Sequence, residues 1–156
     1  MSKYSCKNTL PPYERSVSFR IGAKQKRAKN VHPVFLPFSG CPMHCVYCAQ
    51  DRQTGMESPR SIVDIINSVR EDFASLSPCD AGQTRELAFY GGTFTALPDA
   101  ERRSCLALLD ELRASGHITH ARCSTRPDAL SPAIFDGLKA HGIDLIELGI
   151  QSFSTS

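Results

Sequence analysis

Short apolar runs alternate with longer stretches of helical periodicity along this chain, and that alternation is the strongest constraint on its fold. Val34, Phe35, Leu36 and Phe38 form the first run, which Pro33 and Pro37 flank and Ser39-Gly40 stops. A helix follows on Ile62, Ile65, Ile66, Val69 and Phe73, which share one face, with Ser58-Pro59 or Ser61 with Asp64 as its start. Leu87 to Tyr90 reads as a buried strand running into Gly91-Gly92. The second helix begins near Pro98-Asp99, carries Cys105, Leu108, Leu109 and Leu112 on one face, and stops at Gly116. His120 to Thr125 is a third strand, Ser131-Pro132 opens a helix through Ile134, Phe135 and Leu138 that Gly142 closes, and Leu145 to Ile150 is a fourth strand. Strands separated by amphipathic helices predict an α/β fold with a parallel sheet built of right-handed βαβ units. Functional groups then collect at the C-terminal ends of the strands. The unusual residues fall there: a cysteine-rich loop, Gly91-Gly92-Thr93, Ser124 to Asp128, and Gln151-Ser152.

A chain of 156 residues suffices for one compact core. No apolar run nears the roughly 18 to 20 residues that span a bilayer, and the N-terminus has no signal-peptide core, so a cytoplasmic protein without a membrane partner is expected. Charge is unevenly distributed. Residues 1–31 hold eight Lys or Arg and one acid, net +7, and the remainder holds ten against fifteen, net −5. Residues 1–31, with Pro11-Pro12 and the cluster Lys24, Lys26, Arg27 and Lys29, therefore read as a basic N-terminal arm, and 32–156 as the core.

Cys41-Pro-Met-His-Cys45-Val-Tyr-Cys48 places three thiols within eight residues, directly after a glycine that permits a tight turn. Such a loop can wrap one metal centre. Iron-sulfur centres and structural zinc sites ordinarily take four protein ligands, and a fourth cysteine is missing nearby; His44 could complete a Cys3His zinc site, although it stands directly beside Cys45. Cys6, Cys79, Cys105 and Cys123 are scattered and read as small buried hydrophobes. His32, His117, His120 and His141 have no spacing that forms a site. Three cysteines leave one iron open, which is what a cluster needs if it is to bind a substrate group itself.

The C-x3-C-x2-C spacing, with an aromatic just before the last cysteine, resembles the signature of the radical S-adenosylmethionine (SAM) superfamily, and the likeness runs from about Pro33 to Phe153. The resemblance implies that Cys41, Cys45 and Cys48 bind a 4Fe-4S cluster whose open iron takes the amino and carboxylate groups of S-adenosyl-L-methionine, with Tyr47 near the adenine. It further implies that Gly91, Gly92 and Thr93 contact the methionine amino group. Ser124 and Arg126 would reach the carboxylate or ribose, although some relatives carry glutamate where Ser124 stands. Gln151, in Gly149-Ile-Gln-Ser-Phe153, would meet the ribose. The implied chemistry is reductive cleavage of SAM to a 5′-deoxyadenosyl radical that abstracts hydrogen from a substrate, with an electron donor such as flavodoxin or ferredoxin.

The wording Gly-Gly-Thr-Phe-Thr, Ser-Thr-Arg-Pro-Asp and Gly-Ile-Gln-Ser-Phe looks most like the branch of the Elongator catalytic subunit and its bacterial relatives, which includes tRNA wobble-uridine modification. The basic arm keeps tRNA in view as a partner, against the ordinary reading of such a segment as solvated. The family core is a partial barrel of six βα units, and four fall within this sequence. The expectation is thus a truncated barrel that a second polypeptide could complete. Two other readings stand beside the enzyme: a zinc- or nucleic-acid-binding module that uses the cysteine loop structurally, and an inactive fragment.

Overall fold

A computed structural model describes residues 30–36, 39–41 and 60–150. Four strands, β1 (Asn30–Phe35), β2 (Arg85–Tyr90), β3 (His120–Thr125) and β4 (Leu145–Leu148), form one sheet in sequence order, with every pair parallel. Helices α1 (Ile62–Ala74), α2 (Asp99–Ala114) and α3 (Pro132–Ala140) make the connections. Sequential parallel order means that each crossover steps the same way, so right-handed connections carry all three helices to one face. A doubly wound sheet would reverse direction; this one winds singly, as a barrel does, and it is an α/β fold consistent with part of a TIM-type barrel, as expected.

The strands alternate between two faces. Val34, Phe89 and Cys123 stand in one row of the register, and they join Leu87 and Ala121 against the apolar stripes of α1 and α2. Phe73, Phe89, Leu108 and Leu109 are essentially fully buried in this layer. Cys105 and Cys123 belong to it as small apolar residues, as expected. Cys79 does not: it is half-buried, and its thiol donates to the His117 carbonyl at 3.3 Å.

The helix starts follow local chemistry. Ser61 caps α1 by accepting from the Asp64 amide at 3.1 Å while its hydroxyl donates to the Asp64 carboxylate at 2.7 Å. Ser131 caps α3, with Pro132 in the first turn where no intrahelical N–H is needed. At the other end of α3, Arg113 of α2 donates to the His141 and Gly142 carbonyls at 2.9 and 2.8 Å, satisfying groups the helix cannot.

Several details differ from expectation, the start of β2 among them, at Arg85 and not Leu87. The first strand begins at Asn30 and ends at Phe35, so Pro33 lies inside it. Proline is tolerated because, among the described residues, β1 is an edge strand whose other side needs no amide donor. The fourth strand stops at Leu148, two residues early. Phe135 points away from the core with 47% of its surface exposed, whereas Leu138 is the buried residue of α3.

The face opposite the helices is polar at its centre. Arg122 donates to both carboxylate oxygens of Glu86, at 2.8 and 2.5 Å, and to Glu147 at 2.8 Å, while Ser124 donates to the other Glu147 oxygen at 3.1 Å. The Glu86 hydrogen bonds are the largest influence on Arg122, and they raise its pKa further above the ordinary arginine range. Only 3% of the Glu86 side chain is exposed, and the Arg122 guanidinium supports its charge there. Arg122→Met is expected to destabilise the domain by about 3 to 5 kcal/mol in urea unfolding, because a buried carboxylate loses its bidentate guanidinium. The double variant with Glu86→Gln recovers most of that loss.

Candidate cofactor site

Two loops meet at the C-terminal ends of β1 and β2. The Leu36 amide donates to the Tyr90 carbonyl at 2.7 Å, prolonging the parallel ladder by one step. The chain then turns, with Ser39 N bonded to Leu36 O at 3.2 Å, and the Thr93 amide donates to the Ser39 carbonyl at 2.9 Å. The loop that begins the cysteine segment is therefore clamped to the glycine turn by main-chain bonds.

Glycine is required on both sides of this clamp. Gly40 has φ +75°, and a Cβ there would run into the Thr93 carbonyl oxygen. Gly92 has no unusual φ; its need is for space, since a Cβ would strike the Ser39 carbonyl and lie 2.7 Å from that of Leu36. The sequence marks Gly91 and Gly92 for approach to a cofactor. The described residues show that Gly92 also serves the approach of one loop to another.

The turn continues into a single 3-10 turn, Phe94–Ala96, which is a local element absent from the sequence reading. Phe94 stacks on Phe89 at 4.8 Å between ring centroids, and Arg102 of α2 donates to the Thr95 and Leu97 carbonyls. Thr95 and Thr125 share a hydrogen bond of 2.5 Å between buried hydroxyls, tying the second strand end to the third. A second 3-10 turn, Pro127–Ala129, follows β3.

At these three strand ends lies an open cleft of about 450 Å³ lined by Gly40, Cys41, Thr93, Ala96, Pro98, Arg126, Asp128 and Ala129. That volume lies within the range of small-molecule sites, roughly 300 to 1,000 Å³. Cys41 is half-buried at the cleft, and its sulfur lies 3.4 Å from the Thr93 hydroxyl. Among the described residues the cleft offers one soft sulfur donor, Cys41, next to Gly40, which suits one ligand of a cluster. Cys45, Cys48, Tyr47 and Gln151 lie outside the described residues. No group of three metal-ligating side chains occurs among the described ones.

Of the other expected contacts, Thr93 and Arg126 line the cleft; Gly91 and Gly92 are not part of the lining, and they face the Phe35 ring and the Ser39 and Leu36 carbonyls respectively. Ser124 faces Glu147 on the polar side of the sheet and is not part of the lining. Arg126 forms a bidentate pair with Asp128, at 2.9 and 2.6 Å, and that pairing holds the Asp128 carboxyl below its usual range. Any carboxylate that reaches Arg126 therefore meets a guanidinium already occupied. Asp128 is a lining residue that sequence reasoning passed over, although the Arg-Pro-Asp spacing was in view. The Thr95–Thr125 contact had no local signal, because its partners are thirty residues apart.

A family model of the radical SAM superfamily matches residues 35–156. The chain belongs to that superfamily. No curated protein matches it. Among the described residues no helix is long and apolar enough to cross a membrane.

Two outcomes are expected. Gly92→Ala forces the clamped loops apart, so iodoacetamide should modify Cys41 in the native protein at least severalfold faster while the helical circular dichroism persists. Burial pushes the Cys105 and Cys123 thiols up to about 12, so both stay protonated at pH 8. In native metal-free protein iodoacetamide should modify Cys41 and spare Cys105 and Cys123; mass spectrometry after unfolding in guanidinium should find all seven cysteines reactive.

Proposed function

We propose that this protein is a radical SAM enzyme that holds a 4Fe-4S cluster through Cys41, Cys45 and Cys48 and S-adenosyl-L-methionine in the adjoining cleft. The observation that carries the reading is the meeting of Cys41, Thr93 and Arg126 at one cleft, in a chain of this superfamily. When bound, the cluster supplies one electron that cleaves the carbon-sulfur bond of SAM, yielding a 5′-deoxyadenosyl radical for hydrogen abstraction. The chain's own residues bind and orient. The glycine turn offers backbone groups without side chains in the way, Arg126 offers a cation whose present partner is an aspartate, and the apolar layer beneath keeps the strand ends rigid.

The motif wording supports a place near the Elongator catalytic subunit branch, and the net +7 of residues 1–31 supports a polyanionic substrate such as tRNA. A low-potential donor of the flavodoxin or ferredoxin class and a cytoplasmic setting accord with the same chemistry.

Anaerobic reconstitution followed by electron paramagnetic resonance of the dithionite-reduced protein tests the reading. A cubane signal that SAM perturbs, lost in Cys41→Ala and Cys45→Ala and accompanied by 5′-deoxyadenosine, is the expected outcome. A protein that carries zinc in place of iron, with no change of spectrum on adding SAM, would sink it.

A further inference from the structure

The hydroxyl of Thr93 has a partner that the sequence pattern does not announce. It lies 3.4 Å from the Cys41 sulfur, and either atom could donate when the thiol is protonated. A cysteine that ligates iron is a thiolate and can only accept, so the hydroxyl must then be the donor. Thr93 is poorly placed to do otherwise. Its amide is bonded to Ser39 O at 2.9 Å, its carbonyl accepts from Ala96 N at 3.0 Å, and 1% of its surface is exposed. A β-branched side chain held at both ends of its backbone has little freedom at χ1.

We propose that Thr93, through its side chain, is a positioning residue that sets the reduction potential of the cluster by donating a hydrogen bond to the Cys41 thiolate. The inference rests on the reading of the cleft as a 4Fe-4S site. One-electron reduction takes the cluster from the 2+ to the 1+ state and adds negative charge that spreads onto the ligating sulfurs. A donor at sulfur stabilises the reduced state more than the oxidised one, and so raises the potential. Burial strengthens the effect, because no water competes for the sulfur on that side. The hydroxyl makes the centre easier to reduce and a weaker reductant once reduced, a compromise between accepting an electron and delivering it to SAM. Backbone contact from the glycine turn to the cofactor is a separate matter and needs no hydroxyl.

The experiment is a potentiometric titration of the reconstituted full chain with dithionite, followed by electron paramagnetic resonance, for wild type, Thr93→Ser, Thr93→Ala and Thr93→Val. Serine and alanine here differ by one oxygen atom, and valine keeps the shape of threonine without the hydroxyl. The midpoint of the alanine and valine variants should move to more negative potential, and that of the serine variant should remain with wild type. Loss of the cluster from the alanine and valine variants with retention in the serine variant supports the same assignment. Equal midpoints for serine and alanine overturn it, and so does cluster loss from all three variants, which would make Thr93 a packing residue only. A wild-type chain that holds no iron overturns the cluster reading itself, and this inference with it.

Discussion

The Thr93 amide bonded to the Ser39 carbonyl is the contact on which the candidate site depends. It closes the gap between two loops that leave adjacent parallel strands, and it does so only because both sides carry glycine where a Cβ would collide with backbone. Remove the contact and Cys41 loses its fixed distance to Thr93, and the cleft loses one wall. The strand pairing below supplies the alignment: Phe35 stands opposite Tyr90, and the Leu36 to Tyr90 hydrogen bond extends the ladder to the point where the loops begin. Local flexibility at glycine is thus used to obtain a rigid junction, since close approach of two main chains allows little further movement.

A second layer of constraint lies on the sheet itself. The face toward the helices is filled with apolar side chains, so the strand ends cannot rise or fall without opening the core. On the other face Arg122 ties β2 to β4 through Glu86 and Glu147, and Ser124 is drawn to the same carboxylate. That network locates the start of the third loop, and the Thr95–Thr125 bond locates its neighbour. Arg126 and Asp128 therefore reach the cleft from a strand end anchored on both faces of the sheet.

Most of the architecture was legible in residue order. The periodicity of Ile62 to Phe73, the capping serines and the closing glycines express local preferences that hold within one element, and the third strand matches its expected bounds at both ends. Errors arose where a distant neighbour decides. Pro33 is permitted inside β1 only because that strand is an edge among the described residues, and strand order is a property of the whole sheet. Phe135 looks like a core residue by composition, yet α3 turns it outward.

The site divides along the same line. Three cysteines within eight residues, and the ordered strand-end motifs, are carried by sequence alone, because ligand spacing and turn chemistry are local. The Thr93 hydroxyl at the Cys41 sulfur, the Thr95–Thr125 bond, and the service of Gly92 to Ser39 rather than to a ligand alone were decided by tertiary structure. Each joins atoms whose closeness, or whose chosen rotamer, depends on how parallel strands bring their ends together. Residue order specifies which groups are present, and the packing of the sheet specifies which of them touch.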